Sequence, residues 1–188
     1  MLTTQSEHAS YDSAWKDILD HYLSQALFWC FPSLYKLIDW KKKYEPLDKE
    51  LQSITKDGET GRQYVDKLMK VYLKNGAEQW ILLLLEIQHN YDKDFGKRIF
   101  LYTTRCFDKF QKPIAACAIL SDNNLNWLPK RYEIKVAESR LWLDFMVCKL
   151  HDLEKVRHQL EKCNHPFAVV LLCQLDLLSL KGNDQEQR

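Results

Sequence analysis

Glycine is scarce, with five in 188 residues. None of them builds the Gly-rich loop that cradles a nucleotide phosphate, which argues against a nucleotide-driven motor. Six cysteines are present, Cys30, Cys106, Cys117, Cys148, Cys163 and Cys173, and no two form a C-x-x-C pair. Most lie inside apolar runs, the pattern of buried thiols in a reducing compartment. The longest unbroken aliphatic run, Ile81 to Leu85, falls far short of the roughly 20 residues that a membrane span needs. Charge of one sign is lacking too: the formal net charge is +1. That excludes a permanent polyanion binder with one large basic face and leaves room for an enzyme that touches DNA briefly. The first residues, MLTTQSEHAS, are polar and do not form a signal peptide. A cytoplasmic protein with no membrane segment is expected.

What is present is enough apolar material for a core, 46% of residues with 12% aromatic, so disorder is not expected. Residues 1–10 read as a loose tail, with Asp12 or Ser13 capping a helix whose apolar stripe is Trp15, Ile18, Leu19, Tyr22, Leu23, Ala26 and Leu27. Pro32 ends it, and a short helical piece reaches Ile38. YEPLDKELQSI reads as a first short strand, with Pro46 near its start at an edge-tolerant position. A hairpin follows over 61–90. From Asp92 to Gln111 the spacing is helical, with Phe95, Ile99, Tyr102, Cys106 and Phe110 on one face. KPIAACAIL is a buried strand closed by SDNN. Arg140 to Lys149 reads as a further strand with Leu141, Leu143, Phe145 and Val147 on one side, and Tyr132 to Val136 as a shorter one. His151 to Lys162 is a charged helix, and Phe167 to Leu180 a more apolar one.

The hairpin carries the chemistry. Residues directly opposite each other in an antiparallel pair point to the same face. A two-residue Asn75-Gly76 loop makes paired numbers sum to 151, which sets Asp66 opposite Leu85. A loop of three or five residues makes the sum 152, which sets Asp66 opposite Glu86 and Tyr64 opposite Gln88. The sequence leaves both registers open. In the second, two carboxylates stand about 5 Å apart at Cβ and repel by on the order of a few kcal/mol at an effective dielectric near 20. A divalent cation offsets that repulsion: Mg²⁺ is held by one or two carboxylates plus water and substrate phosphate. Gln88 can orient a water but cannot act as a base, because an amide takes up no proton near neutral pH. The plainer alternative is two isolated acids at exposed strand ends.

Set in order, these elements resemble the core of the PD-(D/E)XK nuclease superfamily. The stretches YDSAWKDIL, LDKELQ, GRQYVDKLMKV, LLEIQHNYDKDFGKRIFLY and KPIAACAILSD narrow the likeness to the recombination-promoting nuclease family, described as transposase-like. The resemblance covers residues 11–150. It implies an α/β fold with a mixed central sheet flanked by helices, a restriction-endonuclease-like αβββαβ core over 11–150, and a small C-terminal helical extension over 151–182. It also implies a metal-dependent DNA endonuclease that hydrolyses phosphodiester bonds, linked to recombination or mobile elements and using Mg²⁺ or Mn²⁺. By the family pattern Asp66 and Glu86 are metal ligands, the backbone carbonyl of Ile87 adds a third, and Gln88 stands where the wider superfamily has Lys. The base is left open between a metal-activated water and a lysine such as Lys67 or Lys70, of which Lys70 shares the Asp66 face by strand alternation. Arg98 and Tyr102 match the pattern in the KRIFLY helix, with Arg98 contacting a phosphate or bracing a carboxylate. Asp12, Asp17 and Asp20 are further acids for the site, although Asp12 serves more simply as a cap. Asp48 and Glu50 lie in a family-like stretch without an evident chemical role.

Other signals point less sharply. His151, His158 and His165 are seven apart, but Asn164 and Pro166 interrupt the helix, and with Cys163 they match no standard zinc site. Trp127, Tyr132 and Trp142 are the kind of residues that stack on bases, yet aromatics in strands and adjacent loops are more often core. The rival readings are a nuclease-like fold that no longer cuts and acts as a DNA- or protein-binding module, and a structural partner that forms homo-oligomers through Phe167–Leu180.

Overall fold

The computed structural model describes residues 3–55, 67–74, 80–88 and 90–186. The architecture is mixed α/β. A five-stranded sheet, in the order β1-β2-β3-β4-β7, comprises β1 (Glu45–Pro46), β2 (Lys67–Tyr72), β3 (Trp80–Gln88), β4 (Ile114–Leu120) and β7 (Met146–Lys149). β2 runs antiparallel to β3, while β3, β4 and β7 are mutually parallel. The parallel β3–β4 connection is made by α4 (Phe95–Phe110), as a parallel pair requires a crossover. A separate two-stranded ribbon, β5 (Arg131–Val136) and β6 (Ser139–Asp144), lies between β4 and β7 in the chain.

The sheet is covered on both faces, and strand alternation sorts the side chains between them. Met69, Val71, Ile87, Cys117, Ile119 and Cys148 join a core with Trp15, Leu19, Leu23 and Leu27 of α1 (Thr3–Cys30) and Phe167, Leu171 and Leu175 of α6 (Pro166–Glu186). Leu68, Ala116, Ala118 and Leu120 join a second core with Phe95, Ile99, Tyr102 and Cys106 of α4 and Leu51 of α3 (Asp48–Thr55). β4 is apolar on both faces because both are packed, and its alanines let the helices approach closely. Each fully buried Leu or Phe contributes about 1.5–3 kcal/mol.

Several expected boundaries move. α1 begins at Thr3 and runs through Asp12 and Ser13. No Gly or Pro interrupts Thr3–Trp15, so nothing stops the helix there. It kinks at Tyr22 (φ −128°, ψ 28°) and stops before Pro32, where α2 (Pro32–Leu37) starts. The expected strand YEPLDKELQSI shrinks to two edge residues, Glu45 and Pro46, paired with Lys70 and Met69. The rest is α3, because Leu47 and Leu51 have helical spacing and the Leu51 N–H donates to the Leu47 carbonyl. The expected single strand 140–149 is two strands. At Phe145 the chain changes partner: its N–H donates to the Lys130 carbonyl, its ring is buried, and β7 then pairs with β4. Leu141, expected on one side with Phe145, is 55% exposed while Phe145 is buried. The helix expected over 151–162 is a 3₁₀ segment, Leu150–Val156, followed by α5 (Arg157–Glu161). Leu150 and Leu153, three apart and both buried, suit the three-residue turn.

The C-terminal helices share their core with α1. Trp15 meets Phe167 edge-on at 6.5 Å between centroids, and Tyr22 meets His165 at 5.2 Å. Leu153, Leu160, Phe167, Leu171, Leu175 and Leu178 thus share one core with α1 and the sheet. Among the described residues no helix is long and apolar enough to cross a membrane.

Candidate functional site

The C-terminal ends of β3, β4 and β7 lie on one edge of the sheet, the location where open parallel sheets bind ligands. Gln88 ends β3, Ser121 and Asp122 follow β4, and Lys149 ends β7. The Ser121 N–H donates to the Gln88 carbonyl at 2.9 Å, extending the β3–β4 ladder to this edge.

The paired numbers of β2 and β3 sum to 152, from Lys67–Leu85 to Tyr72–Trp80. Of the two registers open to the sequence, this is the longer-loop one. The turn itself, residues 75–79, and Asp66 with the rest of 56–66 lie outside the described residues. Glu86 occupies a β3 position paired with Ala118 of β4, and its side chain is not among those described. Ile87 is buried on the α1 side.

Gln88 is held at both ends of its amide. Its Nε2 donates to the Asn90 carbonyl at 2.8 Å, and its Oε1 accepts from Arg98 Nη2 at 2.8 Å. These two bonds assign which end of the amide is oxygen. Arg98 Nη1 also pairs with Asp92, and its guanidinium lies 5.3 Å from the centroid of the Phe95 ring. Asp92 in turn accepts from the Asp94 N–H at 2.9 Å, which shapes the entry to α4. Arg98 therefore braces a carboxylate and the Gln88 amide together. Tyr102, one turn further along α4, is buried in the core on that side.

Each lysine offered by the sequence has a carboxylate partner among the described residues. Lys67, 4% exposed, reaches Asp20 of α1 at 2.6 Å on the face opposite Leu68. This bond also engages Asp20, one of the acids expected near the site. Lys70 reaches Glu45 at 3.2 Å. Hydrogen bonds to Tyr72 first and Glu45 second hold its ammonium above its ordinary pKa, the wrong direction for a base. It stands three residues from Lys67, roughly 10 Å along the strand. Asp17 is exposed. Asp12 and Asp48 fall within α1 and α3 with their side chains undescribed, and Glu50 is half-buried in α3.

One feature at this edge had no clear sequence signal. Lys149 and Asp122, with side chains each 5% exposed, pair at 2.5 Å. Lys149 also donates to the carbonyls of Asn124 at 2.9 Å and Trp127 at 3.3 Å. All three ammonium protons thus have acceptors, the condition for tolerating a buried charge. The two residues are 27 apart, and only the parallel β4–β7 pairing brings them together. Asp92 was likewise missed. Its signal was an acid six residues before Arg98, across the start of a helix.

The aromatics divide. Trp127 packs against Phe95 and Tyr91, each at 5.5 Å between centroids, and Tyr132 packs against Phe100 at 5.3 Å. Trp142 departs from the expected core position and is 51% exposed on β6; it pairs with Glu133, on the ribbon face opposite the one Tyr132 turns to Phe100 of α4. Of the histidines, His165 faces Tyr22. Among the described residues no group of three or more His, Cys, Asp or Glu is placed to hold a metal ion. Asp66 and the Glu86 side chain are outside that statement.

No protein-family model, curated protein or solved structure matches this chain.

Proposed function

We propose that the chain is a DNA endonuclease dependent on Mg²⁺ or Mn²⁺, hydrolysing phosphodiester bonds from a restriction-endonuclease-like core. The observation that carries this reading is the β2–β3 register. Were it continued by one pair past Lys67–Leu85, it would set positions 66 and 86 opposite each other. The strand period of two then gives position 86 the face of Gln88. The donor set that results, two carboxylates with the Ile87 carbonyl beside them, is oxygen-only and suits a hard divalent cation. When bound, such an ion lowers the pKa of a water and neutralises charge on a phosphoryl oxygen.

The chain's own residues do the rest. Gln88, fixed by Arg98 and Asn90, keeps one amide proton and one oxygen lone pair with which to orient a water. Arg98, its charge balanced by Asp92, holds Gln88 in place. Lys67 and Lys70 each meet a carboxylate, Asp20 and Glu45, and the reading leaves the acceptor of the water's proton open. The cysteines, four of them buried and all free, fit a reducing compartment such as the cytoplasm. A role in recombination or in mobile elements follows from the family likeness of the sequence stretches.

The test is nicking of supercoiled plasmid. Wild-type protein is expected to nick with Mg²⁺ and to stop with EDTA, and Asp66→Ala is expected to lower the rate at least a hundred-fold. Equal nicking by wild type and Asp66→Ala rejects this site as the source of activity.

A further inference from the structure

Tyr91, three residues beyond Gln88, leaves 61% of its surface to solvent. Its ring is nevertheless oriented, seated against Trp127 at 5.5 Å with 68° between the planes. Trp127 is itself anchored. Its ring packs on Phe95 at 5.5 Å, its carbonyl accepts from Lys149, and the Lys149 ammonium lies 5.6 Å from its centroid. Because Lys149 is locked by the buried pair with Asp122, the chain Asp122–Lys149–Trp127–Tyr91 ties an exposed ring to the rigid end of the sheet. Phe95 carries the Arg98 guanidinium, so the exposed ring and the Gln88–Arg98 pair share one support.

An aromatic side chain held toward solvent beside a cationic group is the arrangement with which proteins take up unstacked bases. Lys93 and Lys97, at the entry to α4, and Lys130, just before β5, are exposed, as is Asp94. The start of α4 meets the start of β5: a Cβ on Gly96 would lie 3.5 Å from that of Tyr132. A duplex buries its base faces in its own stack and offers nothing to such a ring. A single strand offers a base to every ring it passes.

We propose that Tyr91, positioned by Trp127, is a stacking platform for a base of single-stranded DNA, so that the substrate enters the site as a single strand or as a locally opened duplex. This rests on the endonuclease reading of the neighbouring edge and names its substrate class.

The test measures fluorescence anisotropy of a fluorescein-labelled oligothymidylate and of a duplex of equal length, in Ca²⁺ so that cleavage does not intrude. Wild-type protein is expected to bind the single strand more tightly. Tyr91→Ala is expected to weaken that binding roughly ten-fold, with duplex binding unchanged, from the size of a base–aromatic stack. Tyr91→Phe keeps the ring and is expected to bind as wild type. The salt dependence of single-strand affinity is expected to stay the same in all three, since no phosphate contact is removed. The platform is overturned by a wild-type protein that does not prefer the single strand, by Tyr91→Ala binding as wild type, or by Tyr91→Phe binding as poorly as Tyr91→Ala. If Tyr91-dependent binding holds while wild-type protein fails to nick plasmid in Mg²⁺, the endonuclease reading fails and the platform stands. If nicking depends on Asp66 while Tyr91→Ala changes nothing, the platform alone fails.

Discussion

At the scale of single residues, two polar constructions decide the character of the sheet edge. Gln88, Arg98 and Asp92 form one. Arg98 spans two acceptors with its planar fork, a geometry that lysine cannot copy. Lys149 and Asp122 form the other, and its energetics follow from burial. Removing one partner leaves a charge without solvent or counter-ion. Lys149→Met is therefore expected to cost about 3–5 kcal/mol in urea unfolding, while Lys149→Met combined with Asp122→Leu recovers most of the loss. A single variant that loses less than about 1 kcal/mol would show that Asp122 reaches water after all. Neither construction was fully legible in the sequence. The sequence marks Arg98 and leaves its partner open between a phosphate and a carboxylate. No periodicity in the sequence marks Asp92 as that carboxylate, because the contact crosses the helix entrance and has no helical spacing. Lys149 and Asp122 are joined by strand pairing alone, and nothing local marks either one.

At the scale of elements, legibility tracks periodicity. The α4 face Phe95, Ile99, Tyr102 and Cys106 is as the spacing predicts, because a stripe repeating every three or four residues has one way to be buried. β4 is as predicted because a short apolar run closed by SDNN has few alternatives. The segment 140–149 alternates throughout, yet alternation does not say which partner a strand takes, and the chain changes partner at Phe145. The β2–β3 register depends on loop length, which one Asn-Gly pair leaves undecided. At the C-terminal end, Arg157 donates to Glu154 and to Asp176, fastening α5 to α6. The hydrogen bond from Arg157 holds the Glu154 carboxyl below its ordinary 4.5. A carboxylate with a depressed folded pKa stabilises above its unfolded value, and that stability is lost as pH falls through the folded one. Arg157→Ala is thus expected to lower the melting temperature at pH 7 by an amount worth at most about 1 kcal/mol, the pair being partly exposed. The gap between variant and wild type should narrow as the pH falls below the ordinary carboxylate range and through the depressed Glu154 value. A gap that persists unchanged in acid would assign the effect to packing of the Arg157 stem instead.

At the scale of the molecule, one sheet separates two cores, and its edge where β3, β4 and β7 end gathers the polar groups that packing excludes from the faces. The helices after β7 complete the α1 side, so the C-terminal segment is part of what keeps β4 dry on that face. The β5–β6 ribbon contributes little to either core. Ile134, Val136 and Leu141 remain exposed upon it, which explains why its strands were recognisable by composition while their burial was not. The central claim reaches past this frame to the proposed ion site at Asp66 and Glu86, which rests on continuing a register whose described pairs sum to 152. Calorimetric titration with Mn²⁺ tests it most directly. Wild-type protein is expected to show saturable binding that is lost in both Asp66→Ala and Glu86→Ala, with folding intact by circular dichroism. Mn²⁺ binding that survives both substitutions, or that is absent from the wild type, contradicts the claim.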